Sequence, residues 1–372
     1  MMLEKGKISV RQFRVLVIFF TIGTSILVTP SFLASYARQD AWIAVIISIG
    51  VGLLFVWLFT AIAGFYPNLN FVQVNEKVLG KWLGKIISLL FLTMPFVYTV
   101  ELLFYSGTFI TVNLMPETPI EVLHIMLAVI LVMAVRLGLE TFSRTAEINI
   151  IAFILLFLML LFVAPQIKLE YIQPVMENGI KPLFLPVLHL LDVNYFNAVV
   201  LLMIYPAYVN EPKKAQKSFF IGTLIGGFVV LVITLLSTMV LGVDTTIRNL
   251  YPGYALAKKI NIGGFLQRIE AVIAFMWIMT TYFKMLIYFY ATCLGLAQVL
   301  NLKDYRPITL PLAMIAVAFA SIMIPNVVEQ QNWDNGINLV FSLTIGGFLP
   351  LFILGGALIR KKFTKESSKN VM

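Results

Sequence analysis

A single cysteine, Cys293, in 372 residues excludes an internal disulfide. His124 and His189 are the only histidines and lie far apart, so no Cys/His set has metal-ligand spacing and no metal site is expected. A glycine-rich phosphate loop, a nucleophile–histidine–acid set and a soluble stretch to house either are all missing, so neither a cofactor site nor an enzyme is expected. Charge is scarce too: 12% of residues are charged against about 25% in soluble domains, and 60% are hydrophobic against roughly 45–50%. The apolar residues recur in long blocks to the end of the chain rather than in one N-terminal leader. The class is an all-α polytopic membrane protein.

A bilayer core of about 30 Å needs roughly 20 apolar helical residues. By that ruler ten transmembrane helices are predicted, near 13–33, 41–63, 86–112, 121–138, 147–165, 183–209, 218–242, 266–299, 308–325 and 336–358. Most basic residues fall in alternate connections: Lys5, Lys7, Arg11 and Arg14 before or at the start of the first span, Lys77, Lys81 and Lys85 before the third, and Arg360 to Lys369 after the last. That bias places both termini in the cytoplasm. It also accounts for the net charge of +9 through an inner rim facing anionic lipid, with no nucleic acid as partner. One transmembrane domain is expected over 1–372, with 8–165 and 183–358 as two five-helix halves and 359–372 as a basic tail.

Several spans carry polar features at depths where water is scarce. In the first, TIGTSILVTP sets Gly23 beside Thr24 and Ser25 near mid-membrane. Small residues there serve close helix packing. The alternative is an unwound segment whose freed backbone groups line a cavity and suit a ligand carboxylate. The sixth span offers a counterpart in KPLFLPVLHLLDVNYFNAVV, with Asp192, Asn194 and Asn197, residues that compete with helical hydrogen bonds. Interruptions in the first and sixth of ten spans are the pattern of two inverted repeats with a site between the breaks.

Glu101 lies deep in the third span with Tyr98 and Tyr105 on the same face. In the eighth, Glu270, Trp277 and Lys284 are seven residues apart and form one stripe. Arg268 and Glu270 belong near the outer interface as gating or boundary residues. Lys284 is too deep to snorkel, and its expected partners are carbonyls freed at a broken helix, a hydroxyl, or Glu101.

The residues also carry a resemblance. FFTIGTSILVTP, VLGKWLGKIISLL, NLMPETPIEV, RLGLETFSRTAEI, IQPVMENGIKP and YPGYALAKKINIGGFLQRIEAVIAFMW, in that order and followed by Lys284, resemble the B subunits of spore nutrient germinant receptors, the endospore germination permeases. That family is similar to the amino acid–polyamine–organocation superfamily, whose fold is two inverted five-helix repeats. The resemblance implies a multi-pass protein of the spore inner membrane that works with a larger A-type membrane-associated subunit and a C-type lipoprotein. It implies sensing of a small nutrient, with an amino acid the leading candidate, and triggering of germination.

By the same resemblance the ligand sits between the first and sixth spans with help from the third and eighth. Carried over residue by residue, that implicates Gly23, Thr24, Ser25, Tyr98, Glu101, Asn194, Asn197 and Trp277 in ligand binding, and Lys284 with Glu101 in an ion site or coupling. The Lys284 ammonium takes the place of the cation that sodium-coupled relatives hold between the first-span break and the eighth span. The family leads one to expect a carboxylate where this chain has Asn197. Two other functions stay open from the sequence: a proton-coupled amino acid transporter and a ligand-gated ion channel lined by the polar stripe.

Overall fold

A computed structural model describes residues 3–4, 6–259, 270–324 and 326–369. Helices follow in chain order: α1 (Val10–Ile22), α2 (Ser25–Ala37), α3 (Ala41–Phe65), α4 (Phe71–Leu79), α5 (Lys81–Asn113), α6 (Ile120–Leu137), α7 (Leu139–Met159), α8 (Phe184–Leu190), α9 (Pro212–Leu241), α10 (Val243–Arg248), α11 (Pro252–Lys258), α12 (Glu270–Val299), α13 (Arg306–Met323), α14 (Val327–Asn332), α15 (Asn338–Ser342) and α16 (Leu349–Lys369). Among the described residues, nine helical stretches are long and apolar enough to cross a membrane. The first of them, Ser25–Phe65, has 41 residues. Straight, it would measure about 60 Å, twice a bilayer core. It turns instead at Arg38 (φ 49°) through the 3-10 segment Arg38–Asp40. Taking α1 with α2 as one span and α3 as the next yields ten crossings.

Local chemistry sets the ends of these helices. Ser9 caps α1: its hydroxyl accepts from the Gln12 amide at 3.1 Å, and the Gln12 side chain accepts from the Ser9 amide at 2.9 Å. Asn70 and Gln73 do the same for α4, a short amphipathic helix packed against α5. Depth of burial then sorts the spans. α12 is enclosed on all sides along most of its length, whereas α6, α7 and α13 turn most of their surface outward, as lipid-facing helices must.

Two packing devices bring the site together. α9 approaches α1 closely because Gly222 and Gly226, one turn apart, face it: a Cβ on either would lie 2.8 Å from Val17 or 2.6 Å from Thr21. At the end where Tyr208 and Tyr305 lie, the N-terminal segment is tied across the helix ends. Ile8 pairs with Val209 in a single parallel bridge, and Tyr305 donates to the Glu4 carboxylate at 2.8 Å.

Candidate functional site

The first span is broken where the sequence places its glycine. Gly23 closes α1 by donating to Phe19 O at 2.8 Å, then takes φ +42° and ψ −122°, a conformation that side chains with a Cβ rarely adopt. The helix restarts at Ser25 on a different path. The carbonyls freed by this break are already engaged. Thr280 donates to Gly23 O at 2.7 Å, and the Trp277 indole N–H donates to Thr24 O at 3.1 Å. Trp277 therefore pins the break, and it is not a cavity-lining residue.

The sixth span is interrupted differently. It stays helical but changes register, from α8 into a π-helical turn, Leu191–Phe196, and then a 3-10 turn, Asn197–Met203. Such a change withdraws backbone groups from the ordinary ladder. Within the π-helical turn, Val193 O accepts from the Lys284 ammonium at 2.6 Å and from Asn197 Nδ2 at 2.8 Å. The two interruptions are joined directly, since the Ser25 hydroxyl donates to Asn194 Oδ1 at 2.7 Å.

Lys284 is the hub. It is 2% exposed, its ammonium lies 5.2 Å above the Phe20 ring, and its stem fills the space that a side chain at Gly23 would need. A Cβ on Gly23 would come within 2.4 Å of Lys284 Cδ and 3.0 Å of Nζ. Glycine at this point thus serves two ends: the turn and the close approach of the lysine.

Beside these contacts lies a cavity of about 50 Å³, walled by α2, α5, the sixth span, α12 and the last span. That volume has room for about three water molecules. Among the residues named from sequence, Thr24, Tyr98, Glu101, Asn197 and Lys284 line it. Gly23, Ser25, Asn194 and Trp277 stand behind the wall and hold the broken segments in place. Glu270 lies half-buried at the start of α12, away from the cavity, and Arg268 lies outside the described residues.

The wall also contains residues that the sequence reading did not assign to a site: Asp192, Asp334, Asn338, Tyr105 and Tyr288. Asn338 bridges two spans by accepting from Tyr98 Oη and donating to Asp192 Oδ2, both at 3.0 Å. Asp334 accepts a hydrogen bond from Tyr105. A signal for Asp192 existed, an acid inside a hydrophobic run. Asp334 fell in a connection by hydropathy and Asn338 just inside the last span, whereas a π-helical turn, Trp333–Ile337, carries the helix back over Asp334.

Three carboxylates and one ammonium therefore share a small buried space. Four of its oxygen atoms, Glu101 Oε2, Asp192 Oδ1, Asn197 Oδ1 and Tyr288 Oη, have no hydrogen-bond partner among the described residues. Buried polar atoms rarely remain unpaired, so the cavity is chemically suited to a small polar guest. Outside it lies a second cavity of about 320 Å³, which shares Val28, Tyr105, His189 and Asp334 with the first. His189 stacks on Phe32 at 3.8 Å between centroids. Tyr105, His189 and Asp334 line both cavities and so lie between them.

Asn338 gives a direct test of the network. Asn338→Ala strands the Asp192 carboxylate and should lower stability by about 1–3 kcal/mol. Ser25→Ala, which removes one hydrogen bond between helices, should cost about 0.6 kcal/mol. Thermal melting of the purified variants measures both, and a wild-type melting temperature for Asn338→Ala would show that the bridge holds nothing.

Residues 7–330 match the family model described as spore germination protein. Spore germination protein KB of Bacillus subtilis is 30% identical over 99% of this chain and 98% of its own length. Spore germination protein YndE of the same organism is 23% identical over 97% and 99% respectively. Among solved structures, the manganese transporter of Eremococcus coleocola, in complex with an aromatic bis-isothiourea substituted compound, superimposes with a TM-score of 0.58. The two are 12% identical, over 94% of this chain and 76% of the transporter, a likeness of fold alone.

Proposed function

The chain belongs to the spore germination protein family, and from that premise we propose that it is the nutrient-sensing membrane subunit of a germinant receptor. The cavity between the broken first span and the re-registered sixth carries this reading. Its guest is a small zwitterion of the amino acid class, for which the walls must part, since the cavity as it stands has room for about three waters. The carboxylate lies at the start of α2 beside Thr24 and the Lys284 ammonium, where the helix N-terminus also favours an anion. The ammonium group lies among Glu101 and Asp192, whose unpartnered oxygens can accept from it. The carbonyls of Gly23 and Thr24 are occupied by Thr280 and Trp277, so the acidic side chains replace them as the amine's partners.

Entry is from the outer chamber, through parting of the Tyr105–Asp334 contact. Binding becomes a signal when it favours one conformation over another, because a ligand of equal affinity for both shifts nothing. The spore inner membrane as location, the A-type and C-type subunits as partners, cytoplasmic termini and the inverted-repeat halves 8–165 and 183–358 belong to the same reading, as does the lack of a catalytic role. They are supported by family membership, by the basic residues at alternate connections, and by interruptions in the first and sixth spans.

Ligand-dependent melting of the purified protein tests the proposal. A bound zwitterion at 100-fold excess over its dissociation constant should stabilise the fold by roughly 2.7 kcal/mol. Amino acids should raise the melting temperature, and neutral sugars and inorganic salts should not. Stabilisation by a sugar, with none by any zwitterion, would sink the assignment. Stoichiometric proton-coupled uptake of the stabilising compound into vesicles would mark the chain as a transporter instead.

A further inference from the structure

A second recess lies far from the central cavity, on the side that the basic residues assign to the cytoplasm. It has a volume of about 450 Å³ and lies between the end of α3, the end of α4 and α16. Three cationic side chains from two separate helices line it, Lys77, Arg360 and Lys361, and among the described residues no acidic side chain does. Arg360 donates to the Lys77 and Val78 carbonyls and so ties α16 to the end of α4. Lys361 lies 5.1 Å above the Phe65 ring. Like charges held together in one concavity repel, and a bound anion would relieve that repulsion.

The remaining wall is apolar and aromatic, with Phe65, Tyr66 and Gly64, and a Cβ on Gly64 would meet nothing within 4 Å. Trp57 stands seven residues before Gly64 on the same face of α3 and is 59% exposed. The cationic recess thus opens onto an outward-facing apolar stripe that runs toward the membrane interior. Basic pockets at the inner ends of membrane helices with such a stripe are suited to the headgroups of anionic lipids.

We propose that this recess binds a phosphate-bearing anion, with the phosphate among Lys77, Arg360 and Lys361 and the acyl chains of an anionic phospholipid along the Trp57 face. The lipid then braces α4 and α16 against α3. Free phosphate shares the headgroup chemistry, and the stripe favours the lipid.

The test uses the full chain in mixed micelles of fixed composition. Phosphatidylglycerol, phosphatidylcholine at the same mole fraction, and inorganic phosphate alone are the probes, and melting temperature and lipid affinity are read. Phosphatidylglycerol should stabilise the protein more than phosphatidylcholine does. Lys77→Gln/Lys361→Gln should weaken that binding about 30-fold, from roughly fivefold for each lysine near an anionic headgroup, with melting in phosphatidylcholine unchanged. Should the double variant melt low in phosphatidylcholine, the single Lys77→Gln replaces it, with an expected loss of about fivefold. A rise with inorganic phosphate alone, lost in the variant, would keep the site and assign it to a soluble anion. Equal stabilisation of wild type and variant by phosphatidylglycerol, or none of either, would overturn the proposal and leave these residues as an ordinary basic rim.

Discussion

Lys284→Met is expected to shift the dose response of the proposed nutrient sensor to about 10–150-fold higher ligand while the protein remains folded in the membrane. The methionine keeps an unbranched apolar stem against Gly23 and removes the ammonium, with its bond to Val193 O and its place above the Phe20 ring. Val193 O is not orphaned by the change, because Asn197 still donates to it. Stability should therefore move little, and the loss should appear in binding. A charge-assisted hydrogen bond contributes about 1.5–3 kcal/mol, so ligand affinity should fall about 10–150-fold. Lys284→Arg should not restore it, since a planar guanidinium cannot reach one carbonyl in a space shaped for a point charge. The readouts are the germination dose response and the ligand-induced shift in melting temperature. An unaltered dose response in Lys284→Met would remove the lysine from the site.

Gly23→Ala should be the most damaging single methyl group in the first span. The backbone at φ +42° and ψ −122° is costly for any residue with a Cβ, by about 1–3 kcal/mol. Overpacking against Lys284 Cδ at 2.4 Å adds about 1–3 kcal/mol more. Together the loss should be about 2–6 kcal/mol in melting experiments, accompanied by loss of ligand binding as the lysine is pushed off Val193. Gly50→Ala is the matched control, because a Cβ there meets nothing within 4 Å. Combining Gly23→Ala with Lys284→Ala should recover the overpacking part, so the two changes will be less than additive. Strict additivity would show that glycine and lysine act independently, and the double function argued for Gly23 would reduce to the turn alone.

The same two residues show where sequence reasoning reached and where it ended. Gly23 beside Thr24 and Ser25 marks a break because propensity is local, and a glycine among hydroxyls weakens a helix wherever it lies. Lys284 declares itself because an ammonium at mid-span is costly and needs a reason. Neither residue names its partner. Val193 is an unremarkable apolar residue, and its carbonyl lies in the π-helical turn where the Lys284 ammonium reaches it.

Sequence alone determined the class, the ten spans and the two interrupted helices, since these follow from hydropathy, chain length and local propensity, which act within one segment. It also exposed Tyr98 and Glu101 as one polar face. Only the tertiary structure decided what that face meets. Packing of the last span brings Asn338 between Tyr98 and Asp192 and sets Asp334 on Tyr105, while Trp277 is drawn away to cap the broken first span. The physical reason is range. A helix forms from neighbours a few residues apart, whereas this cavity is walled by side chains up to 314 positions apart, Thr24 and Asn338, which meet only when the spans pack.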